Sequence, residues 1–240
     1  MKKFLPFLAP ICLFASSCDE LVQESVNEFY KSDRNLERAI NLAEQATDVC
    51  LKDGNTEQAN TSLINGASIY MVNKEPQKAL ELSQRALELA ANVSDKLLLA
   101  RSYQNIGAAK KALGKYDEAL ASFYEAQKIY DTNSNTPMRD ELLCIKSIGS
   151  TYYMKNDFAK AYENHILALN LLDITPDLSN NELVQSELLI EVANDLAKLE
   201  QKDEATKNYK KVLEILKGKE QNPRALGLLE RASKGLNELN

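Results

Sequence analysis

The stretch Tyr103-Gln-Asn-Ile-Gly107, followed by Gly114-Lys-Tyr116, Ala119, Phe123 and Ala126, decides the fold. Its apolar residues recur three and four positions apart on either side of a Gly-Lys turn, which predicts two amphipathic helices joined as a hairpin. Gly107 omits a side chain where the helices must approach closely, and Ala119, twelve residues on, leaves room for an opposing bulky group. The same pair of small residues recurs downstream in Ile145, Ile148-Gly149, Tyr152, Phe158, Ala161, His165 and Ala168, and again in Leu189, Val192-Ala193, Leu196, Ala205, Tyr209 and Val212. Upstream it recurs in Leu63, Ala67, Tyr70, Ala79 and Ala86, and in a degenerate copy with Val26, Tyr30, Leu36, Ala39, Ala43 and Ala46.

This pattern resembles the tetratricopeptide repeat, whose first helix carries an aromatic residue or Leu, then Leu-Gly and Tyr, and whose second carries Ala, an aromatic residue and Ala. The resemblance implies an all-α, right-handed superhelical solenoid of five helical hairpins over residues 21–216. A capping helix follows in 217–240. The alanines at 39, 79, 119, 161 and 205 are 40, 40, 42 and 44 residues apart, against about 34 in the standard repeat. Such long periods are similar to those of kinesin light chains, the Leu-Gly-Asn adaptors and the bacilli Rap regulators, families that bind peptides or protein segments. Turn-rich stretches at Asp131–Pro137 and Asp173–Asn181 absorb the extra length, and Ser179 with Glu182 reads as a capping box. Asn222-Pro223 suits an N-cap and first turn. Beyond it Leu226, Leu229, Ala232 and Leu236 form an apolar stripe, leaving Arg224, Arg231, Lys234 and Glu238 facing outward.

A helical hairpin cannot bury its apolar face alone, so stacked copies share a core and leave a curved wall lined by the first helix of each pair. Counting from the small residue of each first helix places Asn65, Ser68 and Met71 on that wall, then Arg101, Gln104, Asn105 and Lys111, then Lys146, Ser150 and Tyr153. Glu187, Glu191, Asn194 and Lys198 continue the row. In related arrays an amide just before the Leu-Gly pair bonds the main chain of an extended ligand, a role the resemblance gives to Asn65 and Asn105. Arg101, Lys111 and Lys146 on one wall point to an acidic part in the ligand. Glu24 and Glu28 stand where a chaperone-tail clamp needs Lys and Asn, so that specificity is not supported.

Composition narrows the chemistry. The net charge is −6, with acids and bases interspersed, whereas nucleic-acid binding by counterion release needs a basic face. The lone histidine, His165, occupies the column that holds Phe123 and Tyr209, which reads as a packed core position and not a general base. No His/Cys cluster, phosphate-cradling glycine loop or nucleophile-base spacing stands out. Asp117-Glu118 and Asp203-Glu204 fall at helix starts, where the macrodipole favours acids. We therefore expect no enzyme, no cofactor, no metal and no small-molecule substrate.

The N-terminus carries an address. Lys2 and Lys3, an apolar run from Phe4 to Phe14, and Ala15-Ser16-Ser17 before Cys18 read as a bacterial export signal spanning residues 1–17. Removing it takes the net charge to −8. Small residues running into a cysteine resemble the lipobox of bacterial lipoproteins, which implies acylation of Cys18 and a short tether, residues 18–20, at the membrane. Ala15-Ser16-Ser17 also suits ordinary signal peptidase, which would leave a soluble periplasmic or secreted chain. Cys50 and Cys144 lie two repeats apart, too far to bridge, and are expected to be buried thiols. These readings converge on a protein- or peptide-binding adaptor at the cell envelope, with a peptide-sensing signalling module as the alternative.

Overall fold

The computed structural model describes residues 16–175, 178 and 181–239, and among these every element is a helix. Residues 1–15 of the export-signal reading lie outside the described residues, as does Ser179 of the expected capping box. Eleven helices follow in order: α1 (Cys18–Tyr30), α2 (Leu36–Lys52), α3 (Thr56–Val72), α4 (Pro76–Ala90), α5 (Lys96–Ala112), α6 (Tyr116–Thr132), α7 (Met138–Met154), α8 (Phe158–Ile174), α9 (Glu182–Lys198), α10 (Lys202–Ile215) and α11 (Pro223–Leu239). No described helix is long and apolar enough to cross a membrane.

Each odd helix pairs with the even one after it, giving five hairpins, and α11 packs on both α9 and α10. The odd helices also touch one another in sequence, from α1 through α11, whereas no two even helices among the described residues pack to the same extent. A stack whose first helices pack more closely than its second helices must curve. Its concave wall is the odd row. The alanines that set the repeat, Ala39, Ala79, Ala119, Ala161 and Ala205, are all fully buried in the even helices. A Cβ on Gly107 would lie 2.8 Å from the Phe123 ring, and one on Gly149 2.5 Å from the His165 ring. Those glycines are therefore demanded by close helix approach.

The turns inside the hairpins repeat too. Lys74, Gly114, Asn156 and Glu200 each take a positive φ between 62° and 76°. The residue after each donates its N–H to a carbonyl five back, as in Glu75 to Tyr70 and Gln201 to Leu196, both at 2.9 Å. This left-handed cap satisfies carbonyls that the helix end would otherwise orphan. Several helix starts use the predicted chemistry: Asn222 Oδ1 accepts from the N–H of Arg224 at 2.9 Å, and Asp117-Glu118 and Asp203-Glu204 occupy first turns. α9 is capped by Asn181, whose side chain accepts from the Val184 N–H.

Four expectations need correction. Tyr30 is 73% exposed at the end of α1, because the degenerate first copy has no preceding hairpin to receive its ring. In α11 Leu229, Ala232 and Leu236 of the expected stripe do pack into the core, beside the buried Ala225 and Leu228, but Leu226 is exposed. Arg224 and Arg231 point along the concave wall and not away from it. Cys50 is no free thiol: it is bonded to Cys18, and the free buried thiol is Cys144. Acylation of Cys18 and this bridge compete for one sulfur.

Candidate functional site

The concave wall carries a cleft of about 390 Å³ lined by Lys111 of α5, Tyr116 of α6, Ser150, Tyr153 and Met154 of α7, His165 of α8, Glu191 and Asn194 of α9, and Arg231 of α11. Of the wall positions counted from the sequence, the structure gathers Lys111, Ser150, Tyr153, Glu191 and Asn194 into this cleft, with Lys146 alongside. Asn65, Arg101 and Asn105 stand apart from it.

Contacts within the protein already occupy several of these side chains. Arg101 reaches α7, where its Nε and a terminal nitrogen both lie 2.8 Å from Asp140 Oδ2. Asn105 donates to the Ile64 carbonyl at 3.0 Å, tying α5 to α3. Its amide nitrogen thus bonds the protein's own backbone. Lys146 sits between Glu187 at 2.8 Å and Glu191 at 3.7 Å, so the acids expected farther along the wall neutralise it. Arg224 adds a second cation to Glu187 at 2.9 Å. Burial pushes the Glu187 carboxyl up, yet the combined attraction of Lys146 and Arg224 leaves it below its ordinary value.

The cleft floor is a buried acid-base cluster. His165 is 2% exposed, with Nδ1 2.6 Å from Asp195 Oδ2 and Nε2 3.4 Å from Glu191 Oε2. A carboxylate can only accept, so Asp195 fixes Nδ1 as the donor and turns Nε2 toward the cleft. Two acceptors then face each other unless a proton lies between Nε2 and Glu191. Burial raises the Glu191 carboxyl above its ordinary value, against the pull of Lys146 and His165. Burial likewise raises Asp195 in spite of its bond to His165. Tyr209 donates to Asn194 Oδ1 at 2.6 Å, and Ser150 donates back to the Lys146 carbonyl at 2.7 Å, which orients both polar linings. Tyr153 packs edge-on to Phe158 with centroids 5.3 Å apart.

Two cations in this lining, Lys111 and Arg231, form no ion pair among the described residues. Lys111 is largely enclosed, and its desolvation pushes the ammonium below its ordinary value. The described residues include no cluster of His, Cys, Asp and Glu arranged to hold a metal ion.

Sequence reasoning missed Asp195 and Arg231. Asp195 stands two residues after the small residue of its first helix, a column filled by Ile69, Ala109 and Thr151 in the other copies, all buried. His165 stands in the second-helix column that holds Ser83, Phe123 and Tyr209 in the neighbouring copies. The one acid in the buried column of Asp195 is the signal that could have found the pair.

Stacked hairpins with a first-helix wall define the class: the chain folds as a solenoid of the tetratricopeptide type. A tetratricopeptide repeat family model matches residues 57–132, which are α3 to α6. The fold is similar to kinesin light chain repeats from Podosopora anserina (TM-score 0.63, 18% identity, 87% of this chain and 100% of that one). It is also similar to pilF of Pseudomonas aeruginosa (TM-score 0.61, 19% identity, 92% and 88%). A third likeness is to NprR in complex with its cognate peptide NprX (TM-score 0.62, 16% identity, 92% and 58%). No curated protein sequence matches the chain.

Proposed function

We propose that this protein is a non-enzymatic adaptor that holds an extended protein segment along its concave wall, seating an acidic group of that segment in the cleft lined by Lys111 and Arg231. The observation that carries the reading is the half-buried ammonium of Lys111, which lines the cleft and forms no ion pair among the described residues. Burying an ammonium is costly unless it is paired, and a ligand carboxylate would pair it. The segment would be exported with the array, because residues 1–17 read as an export signal, and its place of action would be the cell envelope.

Peptide sensing is the second reading, favoured by the bounded size of the cleft: 390 Å³ falls within the roughly 300–1,000 Å³ of discrete ligand pockets. NprR, whose fold is similar, is seen with a peptide bound. Pull-down with the mature array separates the two, since a short peptide supports sensing and a folded envelope protein supports the adaptor.

The binding test is a double reversal, Lys111→Glu with Arg231→Glu, measured by calorimetric titration against the recovered partner. We expect affinity to fall by roughly tenfold or more per lost charge contact, with the helical signal and melting temperature unchanged. Unchanged affinity would place recognition outside the cleft. Reversal of Arg101 and Lys146, two of the cations that the sequence places on the wall, is a poor test. It would break the internal pairs with Asp140 and Glu187 and so loosen the wall itself.

A further inference from the structure

We infer that Cys18 is held in a disulfide with Cys50 in the mature protein, so that its sulfur carries no acyl chain and the first helix is fastened covalently to the array. The two Cα atoms are 4.8 Å apart across 32 residues of sequence, inside the span a bridge allows. Both sulfurs are sealed in. Cys18 is 5% exposed and Cys50 fully buried, with Ala59 of α3 beneath them and Val22, Val49 and Leu89 packed around. An acyl thioether must carry its glyceryl group from that same sulfur into a bilayer. From this position it could do so only if the start of α1 were pulled off the stack.

The bridge joins the start of α1 to a helix whose other buried residues are Leu21, Ser25 and Glu28, with Val22 and Phe29 packed beside them. Ser25 donates to the Ala39 carbonyl at 2.8 Å, and Glu28 accepts from the Asn35 N–H at 3.3 Å. Its first turn is closed by a reciprocal box between Ser17 and Glu20. Cleavage in front of Cys18 removes Ser17 and leaves an α-ammonium at the positive end of the helix dipole, where a cation is unfavourable. The disulfide and the buried Leu21 then hold that turn. Cys144 does not compete for either sulfur: it lies in another part of the core and donates to the Phe123 carbonyl.

The chemistry is thiol-disulfide exchange with an oxidised dithiol protein of the exporting compartment. One thiolate of the pair attacks the oxidant's S–S bond to give a mixed disulfide, and the second displaces the oxidant as its dithiol. Two electrons pass to the oxidant, two protons leave the cysteines and the Cys18–Cys50 bond forms. Reducing cytosol would keep both thiols free, so the bridge closes after export.

The test uses the full chain, made with its own residues 1–17 in a Gram-negative cell with an oxidising periplasm. Protein is denatured without reductant, treated with iodoacetamide and weighed intact. The expected species begins at Cys18, lacks acyl mass, is two hydrogens lighter than the trithiol chain and carries a single alkyl group, on Cys144. Prior reduction should allow alkylation of Cys18, Cys50 and Cys144 alike. Acyl mass on Cys18, or alkylation of all of them without reduction, would overturn the inference. In the Cys50→Ser protein, Cys18 should become alkylatable, and hydrogen exchange over residues 18–30 should quicken roughly tenfold or more with the other hairpins unaffected. A Cys18 that stays blocked in that variant, or exchange that does not change, would equally count against the bridge.

Discussion

Phe123→Ala is expected to lower the unfolding free energy by about 3–5 kcal/mol, the largest loss from any single aromatic truncation in the array. The ring is fully buried in α6 and lies against Gly107 of α5, so close that a Cβ there would be 2.8 Å from it. It joins Ala100, Ala119, Ala126, Tyr130, Cys144 and Ile148 in one cluster that spans the third hairpin and the start of the fourth. Truncation therefore leaves a cavity shared by two repeats, and neighbours held by both helices cannot collapse into it. The next residue, Tyr124, is 44% exposed and offers only its hydroxyl contact with Tyr152, at 2.8 Å. Tyr124→Ala should cost about 1 kcal/mol or less. Chemical denaturation of the two variants checks this, and equal losses would mean that the hairpin register is wrong.

Asp195→Ala should cost about 3 kcal/mol at neutral pH, measured the same way. The carboxylate is fully buried and holds His165 Nδ1 at 2.6 Å, so its removal leaves a buried N–H with no acceptor and frees the ring that forms the cleft floor. The cluster also carries a pH signature. Glu191 and Asp195 have folded values raised by burial, so from their unfolded values near 4 up to those raised values the native state holds protons that the unfolded chain has released. Linkage makes stability fall as pH rises through that window, and Glu191→Gln should flatten the slope. Glu187 acts in the opposite sense and lower down. Its folded value is depressed, so its contribution is present above the unfolded value of 4.5 and is lost as pH falls through the folded one.

The repeat was legible because its physics is local and periodic. Ala39, Ala79, Ala119, Ala161 and Ala205 mark one close approach five times, and two of the glycines opposite them meet a ring. The turn was only partly legible. Gly114 announces a left-handed residue, but Lys74, Asn156 and Glu200 adopt the same conformation without the residue that advertises it. The hydrogen-bonded cap around them imposes the conformation. The cleft was half legible, since spacing from a small residue puts side chains on the correct face of a helix yet says nothing about partners on the next one. Arg101 and Asp140, or Lys146 and Glu187, are about 40 residues apart in sequence and adjacent only after stacking. Arg231 was read on the wrong side because α11 was treated as an end cap, whereas it joins the odd row against α9. The bridge from Cys18 was hidden by the export reading, which gave its sulfur another use before its position in the fold was known.

The central claim is that the odd-helix wall, and not the outer face, holds the partner. Photo-crosslinking from p-benzoylphenylalanine at Met154, which lines the cleft and is 53% exposed, compared with the same group at Leu167, 48% exposed on an even helix, tests it in the cell that makes the protein. The account predicts a discrete adduct from position 154 that disappears with the Lys111→Glu and Arg231→Glu reversal, and none from position 167. An adduct from position 167 alone would contradict it.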